Sequence, residues 1–178
     1  AEAHDGDLAA MAATLRAILG APDETAEAIR AHAMLEAFPE DDLRAALPAL
    51  RHCGKTASTR TANAIEAALA ATDPEERWAA YRNAFLSPSS GKPYAALANA
   101  DALKDALVED LFATKSGEGR EVTRIHAFME ALKAAEAVER NVALLAVGLP
   151  LLRHFAAAKT RLAALDFDDL ILSARRLL

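Results

Sequence analysis

A single cysteine, Cys53, stands in a chain of 178 residues, so no internal disulfide can form and no thiolate set exists to hold a metal. Aromatic side chains make up only 5% of the sequence. Val and Ile are also sparse, and nowhere do β-branched residues alternate with polar ones. That removes the signature of a half-buried strand, and with it any parallel sheet. No run of eighteen apolar residues occurs, because Arg140, Asn141, Arg153 and His154 bracket the most apolar stretch, and on that ground nothing is expected to span a bilayer. No charged-then-apolar leader of the secretory kind is visible either. The expectation is a cytoplasmic protein with no membrane partner.

What is abundant is alanine, about a quarter of all positions, and alanine is the best helix former because it loses no side-chain entropy. The fold class expected is all-α, a multi-helix orthogonal or bundle arrangement in one domain. At 18.9 kDa, 53% hydrophobic and with a mean hydropathy of +0.06, the chain is long enough to bury one substantial core.

Net charge is −6, which argues against a free-standing nucleic-acid binder, since such domains present a basic excess to phosphate. The charge is uneven. Residues 1–48 carry 10 Asp and Glu against 3 Arg, a net of −7. Residues 49–178 hold the remaining 17 Lys and Arg against 16 Asp and Glu, a net of +1. Arg51, Lys55 and Arg60 fall in a stretch without acids that also holds His52 and the hydroxyls of Thr56, Ser58, Thr59 and Thr61. It is the most phosphate-friendly part of the chain.

The first helix, capped by Asp5 or Asp7, is predicted to bury Leu8, Met11, Leu15, Ile18 and Leu19, and Gly20-Ala21-Pro22 ends it. A short helix with Ile29, Met34 and Leu35 follows; Pro39 then opens another through Leu43, Leu47 and Leu50, which Pro48 should bend or shorten. These elements form an acidic front part, residues 1–48, that leads into a basic turn plus two helices, residues 49–86. Ser58 or Thr59 starts the first of the two, and Asp73-Pro74-Glu75-Glu76 starts the second, whose core face is Trp78, Tyr81 and Phe85. Residues 87–98 read as a flexible loop. Residues 99–164 read as a helical hairpin: a helix from about Ala100 to Phe112, a turn at Lys115 to Gly119, and a long helix. That helix lays down Val122, Ile125, Met129 and Leu132, then Val138, Val142, Leu145, Leu149 and Leu152, with a kink expected at Gly148 and Pro150. Residues 165–178 form a last short helix.

Gly54-Lys55-Thr56 invites comparison with a P-loop, but Ala49 occupies the first glycine position and a helix, not a strand, precedes the turn. The reading preferred is a helix-ending turn with a basic loop, and no ATP hydrolysis by this segment. Asp166, Asp168 and Asp169 could suggest a magnesium site, yet acids at a helix start are more simply N-cap and first-turn residues, so no metal is assigned. The histidines His4, His32, His52, His126 and His154 have no His or Cys at i+3 or i+4. No Ser/His/Asp grouping can be assembled, and no catalytic residue is assigned. Trp78, Tyr81 and Phe85 could stack on bases, but their spacing suits the core better. The DNA-binding candidates are Arg51, Lys55 and Arg60, and separately Lys115, Arg120 and Arg124; either cluster could equally be a solvated face.

The last fourteen residues, LDFDDLILSARRLL from Leu165 to Leu178, carry a family resemblance. D-F-D-D-L-I followed by a helix ending in R-R-L-L resembles an element that precedes the Walker B segment of UvrD/RecB-type superfamily 1 DNA helicases, most closely the AddA subunits of bacterial AddAB helicase-nucleases. Gly54-Lys55-Thr56, Asp73-Pro74-Glu75-Glu76-Arg77 and Ala84-Phe85-Leu86 follow one another in the same order as in that family. The resemblance implies an accessory (1B) helical segment inserted in the first motor domain. Asp166, Phe167, Asp168, Asp169, Leu170 and Ile171 would dock it back on the motor core. The parent would use ATP and Mg2+ to move on single-stranded DNA during double-strand break repair, beside an AddB-like subunit and a nuclease domain. The segment itself would hold no cofactor and would touch a single-strand/duplex junction. The alternative is a free-standing helical interaction or adaptor domain whose apolar stripe binds a partner helix.

Overall fold

The computed structural model describes residues 2–52, 54–113, 119–162, and positions 171 and 175. Among these residues the chain is all-α, with α1 (Glu2–Leu19), α2 (Ala26–Ala31), α3 (Glu40–His52), α4 (Thr56–Ala70), α5 (Pro74–Phe85), α6 (Ala106–Phe112) and α7 (Arg120–Arg161). A π-helical turn (His32–Glu36) extends α2, and a 3-10 turn (Ala102–Lys104) precedes α6. No strand forms among the described residues; there is one isolated antiparallel bridge, Leu86 to Pro93. The chain divides into two compact units, residues 20–136 and a smaller one made of residues 1–19 and 137–178.

The larger unit is built on local signals. Thr25 caps α2, Asp73 caps α5 through the amides of Glu75 and Glu76 behind Pro74, and Asp105 caps α6 through those of Leu107 and Val108. The core gathers Met34, Leu43, Leu50, Ile65, Tyr81, Val108, Leu111, Phe112 and Ile125, all essentially without solvent contact. Alanines such as Ala46, Ala62, Ala68 and Ala84 are buried where helices meet, and α4 packs most extensively on α5 and then on α3. Rings meet edge-on, with Tyr81 centred 5.3 Å from Phe38 and 5.1 Å from Phe85, and Trp78 4.7 Å from Phe128.

Several expectations change. The helix expected from about Ala100 begins only at Ala106, because Asp105 caps there and Asn99 Oδ1 instead accepts from the amides of Asp101 and Ala102. Ser58 and Thr59 do not start α4, which begins at Thr56 behind Lys55. Pro48 is carried inside α3, which continues to His52. Within residues 87–98, Ser87 N donates to the Lys92 carbonyl at 2.9 Å, and Tyr94 N to that of Phe85 at 2.9 Å.

In the smaller unit, Ala12 and Val138 are the buried apolar residues among those described. Ile18 is 73% exposed, against the expectation that it lies inward. Helix α7 runs as one helix through Gly148 and Pro150. No unbroken run of eighteen apolar residues occurs in it, yet by length and mean composition, which tolerate one or two charges, it is long and apolar enough to cross a membrane. Of the DFDDLI segment, Asp166 to Leu170 lie outside the described residues, and Ile171 is helical and exposed.

Candidate nucleic-acid interface

The first basic cluster sits where α3 ends and α4 begins. Gly54, at φ +58, takes the left-handed conformation that turns the chain between them, and its amide donates to the Arg51 carbonyl at 3.2 Å. Arg51 forks onto Glu66 of α4, Nη2 to Oε2 at 2.6 Å and Nε to Oε1 at 3.1 Å. Lys55 Nζ lies 3.0 Å from Asp101 Oδ2, and Lys104 bonds the other oxygen at 3.0 Å. Hydrogen bonds from both lysines hold the Asp101 carboxyl below its ordinary pKa. Arg60 Cζ lies over the Tyr94 ring, 3.5 Å from its centroid, and Nη2 donates to the Ala96 carbonyl at 2.7 Å. Burial lowers its pKa from the ordinary guanidinium value.

The hydroxyls that made this stretch look phosphate-friendly are partly used inside. Thr61 Oγ1 donates to the Leu97 carbonyl at 2.5 Å, and Ser58 Oγ accepts from the Asn99 amide at 3.0 Å, both at positions without solvent contact. They pin residues 97–99 to α4.

The second cluster opens α7. Arg120 bridges Asp42 at 2.7 Å and Asp110 at 3.1 Å, and the hydrogen bonds it donates, to Asp42 first and Asp110 second, raise its pKa. Arg124 closes on the buried Glu121 carboxylate and donates from Nη1 to the Ala33 carbonyl at 2.7 Å. Lys115 lies outside the described residues. Each of the five described candidates is therefore engaged within the fold, but on unequal terms. Arg51, Lys55 and Arg120 sit in exposed ion pairs, which are weak and open to competition by phosphate. Arg60 and Arg124 are structural.

Other candidates sort simply. Tyr81 and Phe85 are in the core and Trp78 packs on Phe128, which leaves no aromatic platform there for bases. His32 pairs with Glu36 at 2.9 Å, and no group of three His, Cys, Asp or Glu side chains converges among the described residues. An open cavity of about 320 Å³ lies between α2, the π-helical turn and α7, lined by Ile29, Ala33, Phe128 and Ala131 with His32 and Arg124 at its edge. Sequence reasoning missed the charged residues that hold the larger unit together: Arg77, Arg30 and Glu121. Arg30, from α2, pairs with Glu75 of α5 and with Glu136 of α7. Only their placement within otherwise apolar helix faces could have flagged them. No family model, no curated protein and no solved structure matches the chain.

Proposed function

We propose that this chain is the helical accessory segment of an AddA-like, UvrD/RecB-type superfamily 1 DNA helicase. It contributes contacts along the DNA path, and the chemistry lies elsewhere in a cytoplasmic parent that uses ATP and Mg2+ beside an AddB-like subunit. The resemblance of LDFDDLILSARRLL carries this reading. Support comes from a helical body, strand-free among the described residues, and from Arg51 and Lys55 in exposed pairs that phosphate can open. The test is binding of the chain to a single-strand/duplex junction, followed by fluorescence anisotropy as salt rises. Affinity should fall steeply between about 50 and 200 mM salt. The joint substitution Arg51→Glu and Lys55→Glu should weaken it, whereas Arg60→Glu would also break the contacts to Tyr94 and Ala96 and is a poor test. Salt-independent affinity, or none, would remove the DNA reading.

The second reading, a helical interaction domain, is favoured by one observation. Leu144, Val147, Leu151 and Leu152 on the distal part of α7 are 64–71% exposed.

A further inference from the structure

Beyond Val138, no residue of α7 is buried, although the helix remains apolar to its end. Leu144, Val147, Leu151, Phe155 and Leu162 are 69%, 71%, 67%, 59% and 72% exposed. Their separations of three, four, four and seven residues return to one side of a helix. Val142, Leu145 and Leu149 form a different side and are half-buried. The distal helix is thus apolar on two sides, and the described residues cover only one. Scattered exposed hydrophobic residues need no explanation, but five in register over five turns do.

Charge indicates what covers the other side. From Arg140 to Leu162 the sequence holds Arg140, Arg153, Lys159 and Arg161, with His154, and no Asp or Glu. By helical register, His154 and Arg161 lie along one edge of the exposed stripe and Lys159 along the other, while Arg140 heads the stripe one turn before Leu144; Lys159 Nζ stands 5.6 Å from the Phe155 ring centroid. A second copy placed on this face would set one cationic rim against another, because a two-fold interface pairs a patch with itself. An interfacial lipid helix calls for a strongly polar side opposite the apolar one, and here Val142, Leu145 and Leu149 occupy much of the remainder; a bilayer span, which length and composition would allow, would have to carry Arg153 and His154 inside its apolar stretch, which is costly. Three- and four-residue spacing with flanking charges is what a helix-on-helix seam requires.

We propose that the outer side of α7 between Arg140 and Leu162 seats an amphipathic helix of another protein segment, one whose apolar seam is flanked by Glu or Asp. This deepens the interaction-domain reading and does not depend on DNA binding.

The test titrates the full chain with two synthetic helical peptides of about four heptads, identical in their Leu seam but carrying Glu or Lys at the flanking positions. The Glu peptide should bind at least about tenfold more tightly than the Lys peptide. Leu151→Ser with Phe155→Ser should abolish that binding while circular dichroism and the unfolding midpoint of the chain stay unchanged, since both side chains are exposed. Arg140→Glu with Arg161→Glu should invert the preference between the peptides. Equal affinity for both peptides overturns the acidic specificity and leaves an interaction face standing. Binding to neither overturns the face as well, and binding instead to phosphatidylglycerol vesicles would make it a lipid surface. An unweakened Ser variant would place the peptide elsewhere.

Discussion

Arg77 Nη1 donates to the Met34 carbonyl at 2.6 Å, while Nε and Nη2 of the same guanidinium close on the Ala71 carbonyl at 3.0 and 2.6 Å. Met34 lies in the π-helical turn and Ala71 caps the end of α4, so one side chain of α5 satisfies carbonyls that irregular helix geometry leaves without amide partners. The group is 8% exposed and rests over the Phe38 ring at 4.8 Å. Arg77→Met keeps most of the volume but strands both carbonyls, and should cost about 3 kcal/mol in urea unfolding. Arg77→Lys should recover only part of that, because an ammonium lacks the planar fork that serves two acceptors. A loss below about 1 kcal/mol for the Met variant would mean water replaces the guanidinium.

Tyr81 makes stability fall at alkaline pH. Its phenol is fully buried without a hydrogen bond of ordinary geometry, although Glu121 lies close enough to act on it. Burial first, and the Glu121 charge second, raise its pKa well above the ordinary value. The unfolded chain ionises this group near pH 10, whereas the folded chain keeps the proton. The stabilisation is thus whole below about pH 10 and declines as pH rises further. In a Tyr94→Phe background the phenolate absorbance should appear only together with loss of the near-ultraviolet circular dichroism. Ionisation in a chain still folded would contradict the burial.

Much of this larger unit was legible in the sequence, because apolar residues at helical spacing can bury only one way. Leu43, Leu50, Ile65, Tyr81, Phe85, Ile125 and Leu132 all lie where periodicity puts them. What escaped were decisions made by polar groups: Asp105 taking the cap of α6, Asn99 shaping the turn before it, and Thr61 and Ser58 turning inward to hold residues 97–99. Each has many possible local partners, and tertiary contact selects one. The basic candidates were read as a face. Arg51, Arg60, Arg120 and Arg124 instead have acceptors supplied by other parts of the chain, at separations spacing does not reveal. Periodicity failed at Ile18, and it passed over the exposed side of α7, because a stripe says which residues align and not whether anything covers them.

Two glycines should respond to alanine in opposite directions. A Cβ on Gly119 would stand 2.6 Å from the Leu111 carbonyl oxygen and 2.8 Å from the Ala113 amide nitrogen, backbone that cannot yield without shifting the end of α6. Gly119→Ala should therefore destabilise by about 1–3 kcal/mol, as overpacking does. A Cβ on Gly148 meets nothing within 4 Å, and the residue sits inside α7. There alanine removes only backbone entropy from the unfolded state and should add about 0.5–1 kcal/mol to local helix stability. Thermal melts on both variants check the pair, and equal shifts would rule out the backbone contact as the cause.

Helix α7 passes from one burial regime to another, and hydrogen exchange should resolve the change within a single element. Ile125, Phe128, Leu132, Ala135 and Val138 are 7% exposed or less, so amides on this half should open only with the larger core. Past Val138 the helix loses that cover, and Pro150 has no amide to donate to the Ala146 carbonyl, which weakens the ladder at its middle. Backbone opening there exposes little apolar surface that is not exposed already, so it loses little hydrophobic stabilisation. The amides from Ala143 to Arg161 should accordingly exchange through openings at least about 2 kcal/mol less costly than those from Val122 to Val138. Pro150→Ala should narrow that gap by restoring one hydrogen bond and removing a steric conflict, without altering the proximal half. Uniform protection along the whole helix would show that the exposed stripe does not lower local stability, and that solvent exposure of Leu144, Leu151 and Phe155 leaves the helix as firmly held as its buried half.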